Sequence, residues 1–115
     1  MIKKFTLDYH NKQLEIDWLD IKKQANQLSY EYLRVNSPQV AKDIVSHKKQ
    51  VNLVKIEPVG KHGFRFHFDD EHSAIYSGNY LQELVDNYQQ RWSTYLAKLQ
   101  ASGKKREAMI DIKQL

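Results

Sequence analysis

Apolar residues alternate with polar ones in two segments near the start of the chain. The two alternating sets are Phe5, Leu7, Tyr9 and then Leu14, Ile16, Trp18. A period of two is the spacing of a strand with one buried face, and the residues between the two segments, 10–13, are polar. The pattern therefore predicts an N-terminal β-hairpin.

The middle of the chain predicts a short helix followed by a strand. Residues 27–33 form an apolar-rich piece with strand or turn character. Ser37 and Pro38 are typical of the cap and first position of a short helix, which we expect to reach about Ser46. A strand is then predicted over residues 51–59, where apolar residues recur before a proline and a glycine end the pattern.

The clearest strand signal is a run of three phenylalanines at period two: Phe64, Phe66, Phe68. This spacing puts the three rings on one face of a strand, which we assign to the core. The opposite face carries Arg65, His67 and Asp69. A turn at 69–72 then returns the chain into a strand at 73–76.

The C-terminal third predicts one long amphipathic helix from near Gly78 to Gly103, with Ser77 as its N-cap. Eight apolar residues keep helical spacing along it: Leu81, Leu84, Val85, Tyr88, Trp92, Tyr95, Leu96, Leu99. At 1.5 Å per residue such a helix is about 37 Å long, so its last turns can extend beyond a small sheet and meet a partner. We expect Trp92 to pack on the phenylalanine face.

Strands followed by a packed helix indicate an α+β domain. We expect a mostly antiparallel β-sheet, a short middle helix and the long C-terminal amphipathic helix packed on the sheet. With 115 residues the chain fits a single domain, 1–115, in which 104–115 is expected to form a flexible tail.

Composition excludes several classes of chemistry. The chain has no cysteine, which rules out disulfides, thiolate nucleophiles and Cys-type zinc sites. No stretch is apolar enough to be a membrane span or a signal peptide, so we expect a cytoplasmic protein without a membrane role. The net charge of +4 comes from small, scattered groups of lysine and arginine. Without a dense basic stripe, nucleic-acid binding is not expected.

Three segments resemble the γ-butyrobetaine hydroxylase-like N-terminal domain, also called DUF971, a domain of unknown function when it stands alone in bacteria. The matching segments are YLRVNSP at 32–38, IEPVG at 56–60, and FDDEH at 68–72 with the following IYS and YL. The trailing helix also matches, so the resemblance covers about residues 14–106. Two residues depart from the family pattern, because Glu71 and Ala74 stand where the family usually has glycine. Glu71 therefore needs a turn geometry that tolerates a side chain.

The resemblance implies a specific position for a zinc site. In the two-domain dioxygenases of the carnitine pathway, the similar domain holds zinc with three cysteines and one histidine. The corresponding positions here are Ser37, Gln39, Lys42 and His72. A hydroxyl, an amide and an ammonium cannot replace three thiolates around zinc, so we expect no structural zinc and no other cofactor.

The same resemblance raises an iron-oxygenase interpretation. His67 and Asp69 have the spacing that begins a 2-His-1-carboxylate iron site. Such a site needs a distant second histidine, but the only later one is His72, one tight turn away. The catalytic domain of those oxygenases is also missing from this sequence. We therefore expect no enzymatic activity and name no catalytic residue.

The first of two open functions is a non-catalytic interaction module. Related domains are fused to dioxygenases and to iron-sulfur carrier ATPases, so the resemblance implies a protein partner of one of these types. The polar residues of the matched turns suggest the contact surface: Arg34, Asp70, His72, Tyr76. An equally favoured alternative is that Arg34 forms an ion pair with Asp70 or Glu71 and only fixes the loop. Either a monomer or a weak homodimer fits this role.

The second open function is a small metal- or ligand-binding protein. His62, His67 and His72 lie within eleven residues and could converge across the hairpin, with Asp70 as a further ligand. Histidines near a turn are more often ordinary surface residues, so these four are weak candidates.

Overall fold

A computed structural model describes residues 1–38 and 45–107 of the chain. Over these residues the chain forms two three-stranded antiparallel sheets and three α-helices. The α+β class with antiparallel pairing is confirmed, although the strands form two sheets where one was expected. No helix in the described part is long and apolar enough to cross a membrane.

The first sheet contains the predicted N-terminal hairpin. Strand β1 (Ile2–Asp8) pairs with β2 (Gln13–Trp18), and β2 pairs with β3 (Asn26–Ser29). Along β2 the side chains alternate as the sequence pattern requires, and Leu14 and Ile16 are completely buried. The hairpin prediction is therefore confirmed.

Helix α1 (Tyr30–Val35) was not predicted, since its segment looked like a strand or turn. The Ser29 hydroxyl caps it by accepting a hydrogen bond from the backbone N–H of Tyr32, at 3.0 Å. An N-cap serine satisfies a free helical N–H, which outweighs the strand preference of the two tyrosines. The helix predicted from Ser37 falls mainly on residues 39–44, which lie outside the described residues.

The second sheet is formed by β4 (Leu53–Pro58), β5 (Phe64–Phe68) and β6 (Ser73–Tyr76), in that spatial order. A 3₁₀ turn at Gly60–His62 connects β4 to β5. The predicted phenylalanine face points inward, because Phe66 and Phe68 are buried and Phe64 packs against the core. Since β4 is an edge strand, it can end in a proline without losing a hydrogen bond to a neighbour.

The predicted long helix is interrupted. It consists of α2 (Gly78–Asp86) and α3 (Tyr88–Ser102), joined at Asn87, whose φ and ψ are −110° and 24°. The Asn87 side-chain amide donates to the carbonyl of Glu83 at 3.2 Å, a local bond that competes with regular helix. Both predicted ends are confirmed, because Ser77 caps the start and Gly103 takes a left-handed φ of 71° at the end.

In the structure, Trp92 packs against residues other than those expected. Its ring lies among tyrosines, with centroids 6.4 Å from Tyr32, 6.2 Å from Tyr88 and 5.2 Å from Tyr95. The phenylalanine face instead meets the first sheet, where the Phe5 centroid is 4.9 Å from that of Phe64. The prediction that Trp92 packs on the phenylalanines is therefore wrong. The two sheets therefore meet at the phenylalanine face, and aromatic residues of α3 pack on Tyr32 of α1 within the same core.

Candidate functional site

The end of α1 is joined to the turn between β5 and β6 by an ion pair. The Arg34 Nε atom lies 2.8 Å from Oδ2 of Asp70, and Nζ of Lys48 lies 2.7 Å from the same oxygen. The side chains of Arg34 and Asp70 are only 13% and 21% exposed. The structure thus shows the ion pair that the sequence analysis offered as the alternative to a contact surface. Lys48 was missed, because nothing in its local sequence indicates a partner 22 residues away.

His72 is fixed in the same place. Its Nε2 atom lies 2.8 Å from the Ser37 hydroxyl, and its backbone N–H donates to Asp70 at 3.3 Å. Burial lowers the pKa of His72, and the nearby Arg34 cation lowers it further. The imidazole is therefore neutral near pH 7 and forms a polar contact with the loop after α1.

Asp70 is held in its charged form. Burial raises the pKa of this carboxyl, but hydrogen bonds from Lys48 and Arg34 outweigh burial, and the net effect is a lowered pKa. The turn that presents Asp70 contains Glu71 at a φ of 66°, which is the left-handed geometry that glycine favours. The family's usual glycine at this position therefore has a physical reason, and Glu71 adopts the same backbone shape at some cost.

Tyr76 is a core residue and does not reach a surface. It is fully buried, stacks on Phe66 with centroids 4.3 Å apart, and donates its hydroxyl to the Leu33 carbonyl. Burial strongly raises the pKa of its phenol. Its assignment as a partner-contacting side chain is therefore corrected: Tyr76 supports the end of α1 from inside.

We name the polar contacts between α1 and the β5–β6 turn the turn network; it comprises Arg34, Ser37, Lys48, Asp70, His72 and Tyr76. A second layer lies beside it, because Asn36 accepts hydrogen bonds from the Tyr80 hydroxyl at 2.5 Å and from Arg91 at 3.0 Å. Sequence reasoning missed Asn36 and Arg91, whose partners are more than forty residues away. Three helices and a turn are thereby joined through backbone and side-chain oxygens.

The residues at the family's zinc position do not fit zinc. The described pair is Ser37 and His72, which already contact each other through the hydroxyl and Nε2. The two remaining positions, Gln39 and Lys42, lie outside the described residues and carry an amide and an ammonium. Because no thiolate is available anywhere in the chain, this donor set offers zinc a single good ligand, the imidazole.

The three histidines considered as a metal site are used separately. His67 contacts the Glu57 carboxylate through Nε2 at 2.5 Å, His72 contacts Ser37, and His62 lies in the 3₁₀ turn. Within residues 1–38 and 45–107, no group of three or more His, Asp or Glu side chains is placed to hold a metal ion.

An open depression lies on the outer face of β5 and β6, beside the turn network. It has a volume of about 490 Å³ and is lined by Pro38, Arg65, His67, Ser73, Ala74 and Ile75. Arg65 and Ile75 are directly opposite each other in the register of the two strands, on the face away from Phe66. In the described part of the chain, no carboxylate lies within ion-pair distance of the Arg65 guanidinium.

Taken together, these features define a small α+β domain in which a short helix is locked onto a hairpin turn. A sequence model of the family "Gamma-butyrobetaine hydroxylase-like, N-terminal" matches residues 5–82. The chain belongs to this family, which confirms the resemblance found in the three sequence segments. No curated protein matches the chain.

Solved structures support the same assignment. Two proteins determined by NMR in solution are similar over nearly the whole chain. The first has 30% identity, a TM-score of 0.82, and coverage of 100% of this chain and 96% of its own. The second has 36% identity, a TM-score of 0.80, and coverage of 96% and 88%. A crystal structure of a DUF971-family protein of unknown function from Acidithiobacillus ferrooxidans has 29% identity, a TM-score of 0.61, and coverage of 72% and 90%.

Replacing Arg34 with alanine tests the role of the turn network. We expect Arg34→Ala to lower the free energy of unfolding by about 1 to 3 kcal/mol, because Asp70 loses a charge-assisted hydrogen bond in a mostly buried place. Arg65→Ala is the matched control, and its loss should stay within about 0.5 kcal/mol because its guanidinium is exposed. Urea denaturation of both variants measures the difference. Equal stability of the two variants would mean that the ion pair contributes nothing to the fold.

Proposed function

We propose that this protein is a non-catalytic accessory module that binds another protein through the outer face of the second sheet. The observation that carries the proposal is the open depression on β5 and β6, with an unpaired Arg65 guanidinium next to an apolar Ile75 side chain. A cation without an internal partner beside an apolar surface is typical of a face that a second protein completes.

The turn network supports this role indirectly. It fixes the loop that carries Pro38 against the β5–β6 turn, and Pro38 forms one wall of the depression. A surface that is rigid before binding loses less conformational entropy when a partner docks. Arg34, Asp70 and His72 would then act by positioning the contact surface, while the partner touches Arg65 and Ile75.

The family description also supports the proposal. It describes an N-terminal unit of γ-butyrobetaine hydroxylase-like proteins, so such a domain adjoins further protein within one chain. We propose that this domain makes an equivalent contact with a second protein. We propose a partner of the dioxygenase or iron-sulfur carrier type in the cytoplasm, with a carboxylate for Arg65 and an apolar side chain for Ile75.

The metal-binding alternative has less support. It requires His62, His67 and His72 to share a ligand, whereas His67 and His72 are each paired with a different residue of the protein. Glu57 also remains charged beside His67, since the hydrogen bond from this histidine lowers the pKa of the carboxyl. No observation favours a shared metal over these separate contacts.

A charge reversal on the outer face tests the proposed function. The bait is the tagged full chain, incubated with an extract of its native cells, and captured proteins are identified by mass spectrometry. We expect Arg65→Glu to lose the specific partner at least about tenfold, because the partner's carboxylate would then face a like charge. Lys98→Glu makes a similar charge change on the exposed surface of α3 and should keep the partner. Equal capture by both variants, with both folded, would contradict a docking role for this face.

A further inference from the structure

Residues 104–107, which follow α3, are bound to the surface of the domain by backbone hydrogen bonds. The backbone N–H of His47 donates to the carbonyl of Lys105 at 2.8 Å, and that of Lys49 donates to the carbonyl of Arg106 at 2.9 Å. We call residues 104–107 the strap. Its main chain is thus held by two backbone hydrogen bonds from residues 47–49, which form a bend and a turn.

The strap inserts one side chain, that of Arg106, into a polar pocket. The Arg106 guanidinium donates to both oxygens of Glu31, from Nε at 2.9 Å and from Nη2 at 2.8 Å. Glu31 is only 5% exposed and accepts a further hydrogen bond from the Tyr95 hydroxyl at 2.7 Å. The guanidinium carbon also lies 5.1 Å from the centre of the Trp92 ring.

The pair of hydrogen bonds to Glu31 is specific to a guanidinium. A carboxylate accepts two parallel N–H bonds from the planar fork of arginine, which a lysine ammonium cannot supply. The planar cation can also lie over the indole face. The groups that form this pocket belong to α1 and α3 and not to the strap, so the domain offers the same site to any arginine that reaches it.

A buried carboxylate requires such a cation. If the strap left, Glu31 would keep only the hydrogen bond from the Tyr95 hydroxyl, and a buried charge without a cation is unfavourable. The hydrogen bond to Glu31 raises the pKa of Arg106, in keeping with a guanidinium that is held in its charged form. The pocket therefore favours exchange of one arginine for another over an empty state.

We propose that Glu31, Tyr95 and Trp92 form an arginine-binding pocket for a partner protein, which the protein's own Arg106 occupies until the partner binds. The occupant is an arginine in a basic segment whose backbone carbonyls accept hydrogen bonds from the N–H groups of His47 and Lys49, as those of the strap do. Lys104 and Lys105 precede Arg106 in the strap, and they indicate the sequence character of such a segment. This inference rests on the proposed function and adds a chemical description of the partner.

Binding of a peptide in trans tests the pocket directly. The probes are an acetylated five-residue peptide with the sequence of residues 103–107 and a copy with lysine in place of the arginine. We expect the full-length Arg106→Ala variant to bind the arginine peptide at least about tenfold tighter than the lysine peptide, measured by calorimetry. The parent protein should bind the arginine peptide at least about tenfold more weakly than the variant, because its own strap competes.

A second variant covers the case in which Arg106→Ala does not fold. Arg106→Lys keeps the positive charge near Glu31 but lacks the planar fork, so the arginine peptide should displace it and shift the indole NMR signal of Trp92. Equal binding of the two peptides, or no binding to a folded variant, would overturn the inference.

The inference and the proposed function can fail separately. If the partner lost by Arg65→Glu is captured by Arg106→Ala in larger amount than by the parent chain, the pocket takes part in docking. An equal amount would show that docking uses the outer face of the second sheet without the pocket, which overturns the inference and leaves the proposed function standing.

Discussion

Replacing Gly63 with alanine should destabilise the protein severely, by about 3 to 5 kcal/mol. Gly63 has a φ of 119°, which side-chain-bearing residues rarely adopt, and a Cβ atom there would lie 2.3 Å from the backbone oxygen of Tyr76. It would also lie 2.7 Å from the Cα atom of Ser77. Because both neighbours are backbone atoms at the end of β6, neither can move without disturbing the pairing of β5 with β6. Chemical denaturation of the variant measures the loss.

Gly60 and Gly78 are controls that distinguish backbone strain from steric overlap as the cause of that loss. Gly60 has a φ of 52°, but an added Cβ would meet nothing within 4 Å, so Gly60→Ala should cost only the backbone strain of about 1 kcal/mol. Gly78 has no such strain and also has open space, so Gly78→Ala at the start of α2 should be within about 0.5 kcal/mol of the parent. If Gly63→Ala cost no more than Gly60→Ala, the close approach to Tyr76 would be wrong.

Local sequence patterns were sufficient to predict those elements that depend on neighbouring residues alone. The period of the three phenylalanines predicts the buried face of β5, because strand side chains alternate whatever lies opposite. The same holds for Ser77 and Gly103, since a cap depends on a few neighbouring backbone groups. Helix α1 was missed although its signal is local, because the strand preference of Tyr30 and Tyr32 was given more weight than the serine before them.

Non-local contacts explain the failures. The sequence does not show that Trp92 meets Tyr32, because the order in which helices cover sheets depends on the whole fold. Arg106 and Glu31 are 75 residues apart, and neither carries a local pattern that indicates a pair. Only the tertiary structure brings the Glu31 carboxylate to Arg106, so the sequence does not indicate this contact.

In the candidate site, too, local features were predicted and contacts between distant residues were missed. The family resemblance correctly predicted that Arg34, Asp70 and His72 lie close together, because the matched segments belong to one place in the family's fold. The resemblance did not show which of the matched residues face solvent. Tyr76 was therefore counted as a surface residue although it is buried. The Arg65 face was not considered as a contact surface, since alternation along β5 predicts exposure and says nothing of an unpaired charge.

Truncating Phe66 should give the second large effect, and its neighbour His67 provides the control. Phe66 is fully buried, stacks on Tyr76, and lies edge to face against Phe5 with centroids 5.9 Å apart. Phe66→Ala should therefore cost about 3 to 5 kcal/mol, as removal of a large core ring does. His67→Ala changes the opposite, solvent-facing side of the strand and should cost less than about 1 kcal/mol.

The same two variants test whether the core supports the end of α1, next to the contact surface. Phe66 supports Tyr76, and Tyr76 supports the end of α1 through the Leu33 carbonyl. In Phe66→Ala we therefore expect the amides of residues 33–37 to exchange hydrogen with solvent faster than in His67→Ala, at a temperature where both remain folded. Denaturant melts and hydrogen exchange on the two proteins check both statements. Equal melting would mean that the faces of β5 are assigned the wrong way round, and unchanged exchange at 33–37 would mean that α1 does not depend on the phenylalanine face.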